Sequence, residues 1–202
     1  MMKANYIEFY FDCSSPWTYL AFVEIESLSQ RHELEIDWKP VLVGGVFNTV
    51  NQDVYEFRKK PNPLKLNYSN EDLHLWSRIR GISISFPEVF PVNSVKAMRG
   101  CLFANKESKL AEFANNVFQA YWSEGKDISQ EELLLGIAKN SNLNTEEFSP
   151  LNFEAEIVSW KSNCSHLESS RIRHPKAEAN LYASHTTRER SICPFITDDF
   201  LE

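Results

Sequence analysis

The chain has 202 residues, 43% of them apolar and 24% charged, with a formal charge of −7 and cysteines at positions 13, 101, 164 and 193. That suffices for the core of one ordinary domain, or of a domain carrying a large insertion, while the acidic balance excludes a general nucleic-acid binder, whose counterion release needs a basic face. No stretch approaches the ~20 apolar residues of a membrane span, no secretory-type segment precedes the first strand, and the cysteine spacing suggests reduced thiols rather than a metal or redox pair, so a cytoplasmic protein without membrane or metal partner is expected.

In chain order, Tyr6-Ile7-Glu8-Phe9-Tyr10-Phe11 reads as a buried strand, and Tyr19, Leu20, Phe22, Val23, Ile25 and Leu28 follow at helical spacing to an end near Gln30-Arg31-His32. Between them lies Asp12-Cys13-Ser14-Ser15-Pro16-Trp17-Thr18. Pro16 suits the first turn of the helix, which puts Ser15 at its N-terminus, where unpaired N–H groups and the positive dipole end favour a thiolate, carboxylate or phosphate. The plainer reading of Ser15 is an N-cap worth about 1 kcal/mol. Cys13, at the strand's end, reads as a small buried hydrophobe.

Leu34 to Lys39 alternates apolar and polar as a second strand, giving a βαβ opening whose right-handed crossover makes the strands parallel neighbours. Residues 44–66, rich in Gly, Asn and Pro, read as a long loop with a short helical turn at Asp53 to Arg58. A helix capped by Asn70 and stopped by Gly81 is expected next. Helices from Ser94 to Lys106 and from Lys109 to Glu124 follow, the latter with an aromatic stripe that belongs to a core. A capping box at Ser129-Gln130-Glu131-Glu132 opens a helix through about Lys139, and another begins over Phe153 to Trp160. From Ser162 to Ser191 the chain is rich in Ser, Arg, His and Thr and loses apolar periodicity.

A strand followed by a helix opened with Ser15-Pro16-Trp17-Thr18 resembles the thioredoxin-like disulfide oxidoreductases, which open this helix with Cys-Pro-x-Cys. With hydroxyls at both positions, thiol exchange, which needs an attacking thiolate and a resolving sulfur, is excluded. The serine form of the pattern, carried here by Phe9, Tyr10, Asp12, Ser15, Pro16, Tyr19 and Leu20, is similar to the family of 2-hydroxychromene-2-carboxylate isomerases and kappa-class glutathione transferases. Further matches are Pro40 to Phe47 with Asn51, Lys65 to Tyr68 with Asp72, Leu73 and Trp76, Gly81-Ile82, Phe86-Pro87, and Phe90-Pro91-Val92-Asn93-Ser94 followed by Ala97-Met98-Arg99.

The resemblance implies an α/β thioredoxin-like fold with a large helical insertion of the DsbA kind. Residues 1–66 and about 162–202 form the thioredoxin-like part, and 67–161 the inserted helical domain. Only Ile192 to Asp199 resembles the family's ending, so the closing β-β-α unit is expected to be incomplete or altered, through a frameshifted or divergent terminus after about Lys161.

The resemblance further implies glutathione as cofactor and a thiolate-dependent isomerisation of an unsaturated aromatic keto-acid, with Ser15 as the catalytic, thiolate-stabilising residue. A covalent seryl intermediate would need an adjacent general base, which the local sequence lacks; His32 and His74 read as surface or capped histidines rather than bases. Asn51 and Lys65 are implied contacts to glutathione or the substrate carboxylate, Asn93 a substrate contact, and Cys193, before Pro194, a source of backbone groups for glutathione. The plainer readings are an Asx-turn for Asn51, a surface lysine for Lys65 and an N-cap for Asn93. A homodimer is implied. A kappa-like transferase, or a non-catalytic remnant or binding protein lacking the family ending, are the alternatives.

Overall fold

Alternation along the first strand decides which way its side chains face. In the computed structural model, which describes residues 6–50 and 59–148, β1 (Tyr6–Phe11) pairs in parallel with β2 (Glu35–Pro40) across helix α1 (Pro16–Arg31), the βαβ opening that the periodicity predicts. The register sets Phe9 against Trp38 and Tyr10 against Lys39. Because successive strand residues point to opposite faces, Phe9 and Phe11 are buried while Glu8 is exposed. Phe9 and Trp38 meet edge to face at 5.7 Å, and Phe22 of α1 closes on Phe11 at 5.6 Å.

Helix α2 (Val43–Val50) follows β2, and α3 (Pro63–Ile79) starts well before Asn70. The segment predicted as a long loop over 44–66 is therefore helical at both flanks, while the turn expected at Asp53 to Arg58 lies outside the described residues. Asn62, not Asn70, caps α3: its Oδ1 accepts from the backbone N–H of Leu64 and Lys65 at 3.0 and 3.3 Å. Asn-Pro is loop punctuation in one context and an N-cap with proline at N1 in another, and only the tertiary setting separates them. Gly81 stops α3 as expected, at φ +67°, a left-handed conformation that suits glycine. Arg80 then fastens α3 to α1 through Glu24 at 2.6 Å.

Helices α4 (Val95–Lys106), α5 (Leu110–Phe118) and α6 (Glu131–Asn140) follow, with a π-helical turn over Gln119–Ser123 directly after α5. The predicted stripe is core: Phe113, Val117, Phe118, Tyr121 and Trp122 are all buried. Phe118 stacks on Tyr19 of α1 at 5.0 Å and 5°, so the helices share one hydrophobic cluster with the βαβ unit. The capping box at Ser129 does not form. Asp127 takes the Ser129 N–H, the donor that the box would give to Glu132, at 3.0 Å, and also the Gln130 side-chain amide at 2.7 Å.

The helix expected from Phe153, the Ser162 to Ser191 segment and the Ile192 to Asp199 ending, hence the closing β-β-α unit, lie outside the described residues. Among the described residues no helix is long and apolar enough to cross a membrane.

At Gly100 of α4 an added Cβ would come within 2.8 Å of Phe113 Cζ and 3.2 Å of Phe148 Cζ. Gly100→Ala is expected to cost about 1–3 kcal/mol by overpacking, read as a lowered urea midpoint with unchanged slope.

Candidate functional site

Between the end of β1 and the start of α1 the chain turns within four residues, and three of them decide the geometry. Ser15 stands in extended conformation (φ −107°, ψ 122°), caps α1, and its Oγ accepts from the Thr18 N–H at 3.3 Å. The residue is partly exposed and does not belong to the buried core. A hydroxyl that accepts one bond retains its own O–H, so capping and donation outward are compatible in the same side chain. The positive end of a 16-residue helix lies directly behind it.

Asp12 holds the corner from beneath. Its carboxylate, 2% exposed, accepts from the Ser14 N–H at 2.9 Å, from the Val43 N–H of α2 at 2.9 Å and from the Ser94 hydroxyl, at the entry to α4, at 3.2 Å. Its backbone carbonyl receives the Ser15 N–H at 3.2 Å. Burial pushes the Asp12 carboxyl above the ordinary carboxylate range, against the donated hydrogen bonds that pull it down.

The Cys13 peptide is held on both sides: its N–H meets Met98 Sδ at 3.3 Å and its carbonyl accepts from the indole of the buried Trp122 at 3.0 Å. The thiol is fully buried, and burial raises it well above the usual thiol range. Cys13 is the small buried hydrophobe that its position predicts, without thiolate character.

The other sequence-derived candidates are placed as follows. Asn93 is exposed beside Ser94; its Oδ1 accepts from the Val95 N–H at 3.1 Å, so it does the capping at α4 while the Ser94 hydroxyl turns to Asp12. Ser94 thereby brings Asn93 to the same corner as Ser15. Lys65 is exposed in the first turn of α3 and makes no ion pair among the described residues. Asn51 and Cys193 lie outside the described residues. His32 sits at the opposite end of α1 from Ser15, roughly 26 Å away along the axis at 1.5 Å per residue, and His74 is exposed on α3; the distance removes His32 as a base for the corner.

Sequence reasoning missed the structural work of Asp12, Ser94 and Trp122. The one available signal was an acidic side chain in a pattern otherwise apolar or hydroxylic.

A model of the DSBA-like thioredoxin domain matches residues 6–157, and the chain belongs to that family. Among named relatives, a 2-hydroxychromene-2-carboxylate isomerase of Pseudomonas putida is 30% identical over 125 residues, 59% of this chain and 57% of that one. A second, from Sphingobium xenophagum, is 24% identical over 146 residues, 69% of this chain and 70% of that one. The chain thus spans 57% of the length of the Pseudomonas putida relative.

A solved structure of a 2-hydroxychromene-2-carboxylate isomerase superposes with a TM-score of 0.65 at 25% identity, covering 80% of this chain and 78% of that one. A probable DsbA oxidoreductase of Streptomyces coelicolor gives 0.62 at 14% identity, covering 79% and 74%, a likeness of fold alone.

Asp12→Asn turns an amide N–H₂ toward donors and is expected to cost about 1–3 kcal/mol for the buried donors left unsatisfied. Because the native Asp12 pKa is raised, the wild type gains stability from this group in acid and loses it as pH rises from about 4 through the native value. The gap between wild type and Asp12→Asn is therefore widest at and below about pH 4 and narrows toward neutrality in urea titrations across pH.

Proposed function

We propose that the protein is a glutathione-dependent isomerase acting on an unsaturated aromatic keto-acid of the 2-hydroxychromene-2-carboxylate type. The observation that carries this reading is the partly exposed Ser15 hydroxyl at the N-terminus of α1, a donor and a positive helix end aimed at one place, which together suit a thiolate. The relatives named as 2-hydroxychromene-2-carboxylate isomerases support it. Bound there, glutathione would supply a sulfur nucleophile that adds reversibly to a conjugated carbon, so that the former double bond rotates before the thiol departs.

Ser15 favours the thiolate over the thiol and does not itself attack. Buried Cys13 offers no rival thiolate at the corner. Asn93 presents an amide edge for the substrate at the mouth of the corner, and we assign Asn51, Lys65 and the backbone about Cys193 to holding the tripeptide. We also propose a homodimer in the cytoplasm; Leu64, Tyr68, Leu75 and Ile79 support the dimer, being exposed and falling within one face of α3 at helical spacing.

Ser15→Gly separates chemistry from capping, because glycine at an N-cap costs only a few tenths of a kcal/mol. Isomerisation is expected to fall by on the order of 10²-fold, as for loss of one aimed donor, with the unfolding midpoint nearly unchanged and free glutathione constant through the wild-type reaction. Stoichiometric consumption of glutathione would identify a transferase instead, and no calorimetric binding of millimolar glutathione would refute the reading. For the dimer, Leu75→Asp with Ile79→Asp is expected to halve the mass seen in light scattering; an unchanged mass removes α3 from the interface.

A further inference from the structure

Two aromatic rings stand half in solvent one buried indole away from the corner, although the backbone carrying them is fastened at several points. Phe86 is 49% and Phe90 39% exposed. Their rings meet edge to face at 5.4 Å, and each also packs against Trp122, at 5.8 and 6.0 Å. Trp122 is fully buried and donates to the Cys13 carbonyl, so a single indole separates the two rings from the residue that precedes Ser14 and Ser15.

The connecting segment is tied down along its length. Ser85 N–H donates to the Trp122 carbonyl at 2.8 Å, Ser123 Oγ to the Ser83 carbonyl at 2.6 Å, and Tyr121 O–H to the Val89 carbonyl at 2.9 Å. Ile84 and Pro87 are buried, and the segment ends at Ser94 on the Asp12 carboxylate. The exposure of Phe86 and Phe90 is therefore a fixed feature of the fold. Apolar surface held rigidly in water forgoes the gain of burial, and a fixed apolar patch tied through one indole to the Cys13 peptide marks a binding surface. Two rings in T-shaped array suit a flat, unsaturated ring, which takes an offset or edge-on place against them.

We infer that Phe86 and Phe90 form the platform that receives the aromatic ring of the substrate and sets specificity for planar acceptors, and that Tyr121 is a positioning residue holding Phe90 in place through the Val89 carbonyl. This rests on the isomerase reading for the identity of the ring, while the platform itself rests on the aromatic geometry. Asn93, three residues beyond Phe90, supplies a polar edge where the substrate's carboxylate leaves the platform.

The test uses the full chain and 2-naphthoate as a planar aromatic carboxylate, with binding followed by calorimetry in the absence of glutathione. Wild type is expected to bind, Phe86→Leu and Phe90→Leu each to weaken binding about fivefold, as for loss of one aromatic pair, and the double variant to weaken it by about 25-fold, with glutathione affinity unchanged throughout. In turnover, Tyr121→Phe is expected to raise the aromatic substrate's KM severalfold at constant kcat, whereas a merely structural role would lower kcat and glutathione affinity as well. Failure of 2-naphthoate to bind wild type, or equal binding by wild type and the double variant, overturns the platform. Naphthoate binding that depends on Phe86 and Phe90, without any binding of glutathione, upholds the platform and instead overturns the Ser15 reading.

Discussion

A single buried carboxylate organises the corner on which everything else converges. A charged group taken out of water is tolerated only when its lone pairs are filled, and Asp12 fills them with donors from the turn, from the first residue of α2 and from the entry to α4. Three segments that approach from different directions are thereby referred to one side chain. The backbone carbonyl of the same residue takes the Ser15 N–H, so the direction in which the Ser15 hydroxyl leaves the helix is inherited from a group that never reaches the surface.

Cys13 extends this control in another chemistry. Its thiol is sealed and protonated, and its peptide is gripped by a thioether on one side and an indole on the other. A residue of the most reactive side-chain type thus contributes only volume and a fixed peptide plane, and the exposed chemistry of the turn is left to hydroxyl and helix dipole. Trp122 then links that peptide to the aromatic segment over residues 82–94, so the turn and that segment share one foundation.

Legibility in the sequence followed the cleanness of local periodicity. β1, α1 and β2 could be read because a strand period of two gives way sharply to a helical one, and Gly81 could be read as a stop because its backbone conformation is one that few other residues adopt. The region over 44–66 misled because Gly, Asn and Pro are both loop residues and helix-terminal residues, and Asn62-Pro63 used the second meaning. Ser129 lost its capping role to Asp127, a competition between neighbours that composition does not rank.

Within the site, Ser15 was visible from the Ser-Pro junction, whereas the duty of Asp12 was not, since its partners Val43 and Ser94 lie 31 and 82 residues away. Lys65 was legible as a residue type that suits an acidic ligand, whereas its exposed place in the first turn of α3 follows from the Asn62-Pro63 helix start, which local composition had set in a loop.

The π-helical turn over Gln119–Ser123 carries a consequence for how this chain can vary. Its closing bond runs from the Glu124 N–H to the Gln119 carbonyl at 3.0 Å, one residue wider than ordinary winding. Removing any single residue there would restore regular pitch but rotate the flanking helical phase by about 100°, carrying either the indole or the phenol out of reach of its carbonyl. Replacement by size is negotiable in such a turn, whereas an insertion or deletion is not, and the count of residues becomes as binding a requirement as their identity.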